Sequence, residues 1–145
     1  MYQRQRYHTT IAGEGPRATP TIAGERVLAM GATGVLVSLE RSSGSLSWRR
    51  DTLRDSDAEN LPWGQSGSPL VVDGLVIVAP GAGEGRTVLA YALSSGELRW
   101  SAGEAPAAYA SASLVELAGS PQVLVLHRGA VAGYNPSSGD KLWSV

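Results

Sequence analysis

Ser66 lies in Gly64-Gln65-Ser66-Gly67-Ser68-Pro69, where flanking glycines and a proline resemble a turn that presents a nucleophilic hydroxyl. Such a hydroxyl needs a histidine base, itself held by an acid, within hydrogen-bond reach. The two histidines are His8, in a polar lead-in, and His127, at the end of a strand pattern in another part of the chain. Hydrolysis at Ser66 is therefore not expected. A second pattern, Gly81-Ala-Gly83-Glu-Gly85-Arg86, has nearly the spacing of a phosphate-cradling glycine loop. Those loops work by opening a helix whose first amides face the anion. Here Thr87-Val-Leu-Ala-Tyr-Ala reads as a strand and the third glycine falls one position early, so a flexible hairpin loop is expected. Asp51, Asp55, Asp57 and Glu59 cluster in sequence but lack the glycine and closing glutamate of a calcium loop, which makes them a solvated connection. Cysteine is absent, which removes disulfides, thiolate metal sites and cysteine nucleophiles. No catalytic residue, metal site or cofactor is assigned.

The elements that must position any functional side chain are set by a repeat. Ser38-Leu-Glu-Arg-Ser-Ser-Gly44-Ser-Leu-Ser-Trp48 returns as Ala90-Tyr-Ala-Leu-Ser-Ser-Gly96-Glu-Leu-Arg-Trp100 and as Gly133-Tyr-Asn-Pro-Ser-Ser-Gly139-Asp-Lys-Leu-Trp143. A pattern recurring at about 40–50 residues marks a repeat architecture. Each copy reads as a β-prone run, a polar turn whose glycine takes positive φ, and a second run ending in the indole. In the first two copies Leu and Trp alternate with polar residues; in the third, Leu142 directly precedes Trp143, so the alternation is imperfect there. Two further runs precede each copy: Ala18–Ile22 and Arg26–Met30, Gly67–Val72 and Leu75–Val78, Ser111–Leu117 and Gln122–Leu126. The turns between them contain Ala23-Gly24, Asp73-Gly74 and Ala118-Gly119, of which Asp-Gly is the strong hairpin signal. No segment carries a sustained helical period.

Twelve basic residues against 13 acidic ones give a net charge of −1, with no basic run to hold a nucleic acid. Leu75-Val-Ile-Val-Ala-Pro80 is the longest apolar run and is too short to span a bilayer. The charged start, Met1 to His8, is not followed by an apolar region of signal-peptide length, so the compartment is left unassigned. Eighteen glycines and eight prolines suit many short strands joined by tight turns.

Four strands per copy make three four-stranded antiparallel units. A lone sheet of this kind cannot bury both faces, whereas sheets packed around an axis can. The expected fold is all-β, a partial β-propeller: an irregular lead-in over 1–16, blade 1 over 17–51, a linker over 52–66, blade 2 over 67–103 and blade 3 over 104–145.

These residues resemble the PQQ-like (pyrroloquinoline-quinone-type) β-propeller repeat family, whose tryptophan-docking motif runs Ala-x-Asp-x-x-x-Gly-x-x-x-Trp. Its Ala falls on Ser38, Ala90 and Gly133, its Gly on Gly44, Gly96 and Gly139, and its Trp on Trp48, Trp100 and Trp143. The Asp position holds Glu40, Ala92 and Asn135, which weakens a turn hydrogen bond. The stretches from Gly15 and from Trp63 look like blade beginnings in the non-enzymatic branch, the outer-membrane assembly propeller lipoproteins. The resemblance implies seven or eight blades in all, an extracytoplasmic setting for a full-length form, and indoles that dock neighbouring blades.

It also implies a non-catalytic binding or scaffold surface for protein or small-ligand partners. The alternative is a fragment of a quinoprotein oxidoreductase lacking its catalytic blades. Arg17, Trp63, Gln65, Ser66 and Tyr109 precede the innermost strands and form the expected rim for a ligand or partner. The expected partners are a protein or the remaining blades. Self-association is expected through the apolar faces that a three-blade arc leaves at its two ends.

Overall fold

The computed structural model describes residues 8–9 and 13–145. Within the lead-in, β1 (His8–Thr9) pairs antiparallel with β2 (Gly13–Glu14); residues 1–7 and 10–12 lie outside the described residues. Three four-stranded antiparallel sheets follow, each a meander in chain order. The first comprises β3 (Thr21–Ala23), β4 (Arg26–Met30), β5 (Val35–Glu40) and β6 (Leu46–Asp51). A single helical turn, α1 (Thr52–Asp55), begins the connection to the second sheet; Asp51 caps it by accepting from the Arg54 N–H. The second sheet has β7 (Leu70–Val72), β8 (Leu75–Val78), β9 (Val88–Ala92) and β10 (Leu98–Ala102). The third has β11 (Ser113–Leu117), β12 (Ser120–His127), β13 (Ala130–Tyr134) and β14 (Lys141–Ser144).

Burial comes from stacking consecutive sheets. Leu28, Met30, Leu36 and Trp48 of the first sheet pack on Val76, Val78, Leu89 and Tyr91 of the second. The opposite face of the second sheet, with Ile77, Val88, Ala90 and Trp100, packs on Val123, Val125, Ala132 and Tyr134 of the third. The second sheet is thus covered on both faces, which accounts for the continuous apolar runs of β8 and β9 where a one-sided sheet would alternate.

Each sheet carries a register shift at one position. Leu46 opposes Leu39 while Trp48 opposes Ser38; Leu98 opposes Tyr91 while Trp100 opposes Ala90; Lys141 opposes Tyr134 while Trp143 opposes Gly133. Neighbouring residues of a strand face opposite ways, so the extra residue puts Leu46 and Trp48 on different faces despite their alternating spacing. Leu46 is 54% exposed, while Trp48 is buried.

The turn before each indole repeats one pair of backbone hydrogen bonds, and the second serine of each Ser-Ser-Gly (Ser43, Ser95 and Ser138) accepts from the N–H two residues on. In the first sheet Glu40 N–H donates to the Ser45 carbonyl and Gly44 N–H to the Glu40 carbonyl, both at 2.8 Å. Ala92 with Gly96, and Asn135 with Gly139, repeat the pair at 2.8–2.9 Å. At the motif's Asp position only Asn135 adds its side chain to the turn, accepting from Ser137 and Ser138 N–H, whereas Glu40 turns to Arg26. A motif aspartate is dispensable here because the glycine's positive φ (69°, 72° and 78°) already closes the turn.

Candidate functional site

Two of the three repeat indoles reach across to the next sheet. Trp48 donates from Nε1 to the Leu93 carbonyl of the second sheet at 2.9 Å, and Trp100 to the Pro136 carbonyl of the third at 3.1 Å. Each ring lies where a Cβ on the next sheet's turn glycine would stand. Such an atom at Gly96 would be 2.7 Å from Trp48, and one at Gly139 would be 2.5 Å from Trp100. The small residue ten positions upstream faces the indole across its own sheet, as Ser38 opposite Trp48 and Ala90 opposite Trp100. Gly133 stands opposite Trp143, whose Nε1 donates within its own sheet to Gln122 Oε1 at 2.7 Å. The Ser38 hydroxyl, buried beneath Trp48, finds no hydrogen-bond partner.

A second set of contacts joins the segments that begin each sheet. Thr19 N–H donates to Ser68 Oγ at 2.9 Å, and Ser68 N–H donates to Ser111 Oγ at 2.8 Å. These hydroxyls occupy one repeat position, so the relay was readable by aligning the copies, although the sequence reading passed over it.

On this side lie most of the rim residues. Trp63 and Tyr109 form a tilted ring pair with centroids 5.4 Å apart, 51% and 39% exposed. The pair is fixed from behind: Trp63 N–H donates to the Tyr109 hydroxyl at 3.3 Å, and the Ser66 hydroxyl donates to the Tyr109 carbonyl at 3.0 Å. The structure thus brings Trp63, Ser66 and Tyr109 together. Arg17 donates to the Gly15 carbonyl at 3.2 Å. Gln65 is not on the exposed rim: it is 2% exposed, with its backbone N–H on the Ala32 carbonyl and its amide turned toward Asn60.

The connection after the first sheet is more than a solvated link. Asp55 accepts two hydrogen bonds from Arg50, at 2.9 and 2.8 Å, and a third from the Tyr91 hydroxyl at 2.9 Å. Arg50 also lies over the Tyr91 ring, 5.4 Å from its centroid. Burial, reinforced by the Asp55 carboxylate, pushes the Tyr91 hydroxyl far above the usual phenol range, so it stays a donor. Local sequence shows four acids in a polar stretch, and only the stacking of two sheets turns one of them inward. Asp51, Asp57 and Glu59 remain exposed.

The remaining chemical patterns resolve into structural roles. Ser66 is engaged with Tyr109, and His127 places Nε2 2.8 Å from the Tyr134 hydroxyl, so the two do not form a nucleophile–base pair. The His8 side chain lies outside the described residues. Burial lowers the His127 pKa below the ordinary histidine value. Loop 81–86 is pinned where a flexible hairpin was expected. Gly81 N–H donates to the Thr87 carbonyl, Arg86 N–H to Gly83 and Gly85 N–H to Gly103, so these amides face the protein's own backbone and no anion. A Cβ at Gly81 would fall 1.9 Å from the Arg86 carbonyl oxygen, which is why glycine stands there.

A comparison with protein-family models matches residues 4–145 to the family described as outer membrane protein assembly factor BamB. The chain belongs to this family. No curated protein matches it. Among solved structures it is similar to BamB from Moraxella catarrhalis at 22% identity and a TM-score of 0.60, over 90% of this chain and 36% of that one. It is also similar to the quinohemoprotein alcohol dehydrogenase from Comamonas testosteroni, at 15% identity and a TM-score of 0.67, over 90% and 27% of the two chains. A third is the computationally designed Ika8 protein, at 14% identity and a TM-score of 0.57, over 92% and 36%. The chain therefore spans well under half the length of these relatives. The family match and these likenesses establish the three sheets as part of a PQQ-like β-propeller.

A calcium–quinone centre would need acidic side chains gathered at one place. Among the described residues no three of His, Cys, Asp and Glu converge to hold a metal ion. Among them, too, no helix is long and apolar enough to cross a membrane.

Proposed function

We propose that this chain is a non-catalytic part of a β-propeller that binds a protein partner at its rim. In this reading the docked indoles of Trp48 and Trp100 serve only to hold the sheets as a rigid support. The observation that carries it is the Trp63–Tyr109 pair. Two large aromatics stay exposed on a surface, yet their backbone and hydroxyl groups are fastened to both flanking segments. Rigid, amphipathic aromatics of this kind dominate the energetics of protein interfaces. The family's description as an assembly factor supports a protein partner and an extracytoplasmic setting for a full-length form.

The test replaces Trp63 with a photo-crosslinking amino acid and identifies the captured protein from bacterial envelope extract by mass spectrometry. Binding of that protein is then measured with wild-type chain and with Trp63→Ala/Tyr109→Ala. A loss of at least tenfold in affinity with an unchanged melting temperature is expected; unchanged affinity sinks the reading.

The competing reading, a fragment of a quinoprotein oxidoreductase, draws on the likeness to the Comamonas enzyme. It predicts that pyrroloquinoline quinone with calcium shifts the absorbance and raises the melting temperature. We expect neither.

A further inference from the structure

The connection from the second sheet to the third, residues 103–109, leads to the rim aromatic Tyr109 and carries one β-bridge but no strand. That bridge pairs Ala107 with His127, and beside it the Arg128 N–H donates to the Pro106 carbonyl at 2.9 Å. From the second sheet's side, the Ala107 N–H donates to the Gly81 carbonyl at 2.9 Å, and the Thr87 hydroxyl reaches the Gly103 and Ala105 carbonyls at 3.1 and 2.6 Å. The His127 ring lies against this connection, 4% exposed, with Nε2 on the Tyr134 hydroxyl and Nδ1 buried without a hydrogen-bond partner. Gly103 lies close beside the ring. A Cβ there would stand 3.4 Å from His127 Cε1, the carbon between the two nitrogens, 3.1 Å from the Tyr134 hydroxyl and 2.9 Å from Thr87.

A neutral imidazole carries one N–H, whereas an imidazolium donates from both nitrogens. A second proton would therefore leave a charged donor buried without an acceptor, a cost that is relieved only when a wall of the site moves. Thr87 from β9 brings no charge, and Tyr134 from β13 stays protonated because burial and the nearby Glu104 both raise its pKa. Glu104 on the connection and Arg128 just beyond β12 are both exposed. Burial is accordingly what lowers the His127 pKa. β9, β12 and β13 are tied into four-stranded ladders, so the connection is the wall free to move. We propose that His127 is a proton-operated latch on the rim: its neutral ring seats residues 103–109, and a second proton releases them and draws Tyr109 away from Trp63. Tyr109 stands two residues beyond the bridge and accepts from the Trp63 N–H, so a connection that lifts at Ala107 breaks the aromatic pair. The consequence, a partner held less tightly in acid, rests on the rim reading above; the latch itself does not.

The released ring regains the ordinary histidine pKa of ~6.5 while the seated ring titrates lower, so opening takes up a proton as pH falls past that value. Between about pH 7.5 and 5.5 the opening constant should rise several-fold, with ~tenfold as the ceiling for one proton over that window. Amide hydrogen exchange, corrected for its intrinsic pH dependence, reads this on the whole chain with no partner present. Protection of the Ala107 and Arg128 amides should fall by that factor, while Gly44, held in the far turn of the first sheet, keeps its own. His127→Gln should abolish the pH dependence, and Glu104→Gln should retain it. If His127→Gln fails to fold, His8→Asn leaves a single imidazole to follow by nuclear magnetic resonance. The Tyr109 ring signals should then shift with the His127 midpoint, below the ordinary histidine value. Equal losses of protection at Gly44 would overturn the latch, because the whole fold would then be opening. So would a pH dependence that survives His127→Gln or vanishes in Glu104→Gln, or Tyr109 signals indifferent to His127. These readouts need no partner, whereas rim binding is read with the Trp63 and Tyr109 variants, so either proposal can fail while the other stands.

Discussion

Replacing Trp100 with alanine removes a ring that is 9% exposed, fills the space over Gly139 and belongs to the core between the second and third sheets. Large-to-small changes at buried aromatics cost about 3–5 kcal/mol, because transfer energy is lost and a cavity is left. The Pro136 carbonyl, itself buried, also loses its donor. At roughly 2–4 °C per kcal/mol for a chain of this size, the melting temperature should fall by ~6–20 °C. In the 145-residue chain Trp143→Ala is the internal control, since it removes the same side chain at the same repeat position, where no other sheet of the described residues stacks on it. Its cost should stay under ~1 kcal/mol, the scale of an exposed site. Urea titrations followed by far-UV circular dichroism, at the lowest workable protein concentration so that association does not contribute, give both numbers. Equal losses in the two variants would refute the argument, because the indole would then act within its own sheet.

Gly96→Ala and Gly44→Ala separate strain from contact. Both place alanine at positive φ, costing ~1–2 kcal/mol, but only at Gly96 does the new carbon meet the Trp48 ring, so Gly96→Ala should lose clearly more stability in a thermal melt. Asp55→Ala strands the buried Tyr91 hydroxyl and should cost ~1–3 kcal/mol by urea titration, whereas Asp57→Ala, on the exposed part of the same stretch, should cost little. Ser38→Ala should leave stability equal or raise it, since the buried hydroxyl has no partner and Ala90 fills the same repeat position; a loss above ~1 kcal/mol contradicts this. For His127, burial depresses the folded-state pKa, so the unfolded chain binds more protons once pH falls below the ordinary histidine value. Stability should therefore decline as pH drops from that value toward the lower folded one, and the decline should flatten in His127→Gln, as measured by melting temperature against pH.

Period, turn chemistry and strand patterning were enough to determine three four-stranded units, because each depends on residues close in the chain. The three aligned copies of Ser-Ser-Gly and Trp also placed the indoles, since a large ring opposite a small residue is a local, cross-strand requirement. What the indoles touch was decided between sheets: Trp48 over Gly96 and Trp100 over Gly139 join residues 48 and 39 positions apart, respectively, while Trp143 folds back on Gln122. The same holds for the register shift that parts Leu46 from Trp48, for Gln65 leaving the rim, and for Asp55 being drawn in by Tyr91. In each case the local pattern is satisfied by more than one arrangement. Stacking one sheet on the next selects among them, by burying some polar groups where they must find partners and leaving others in water.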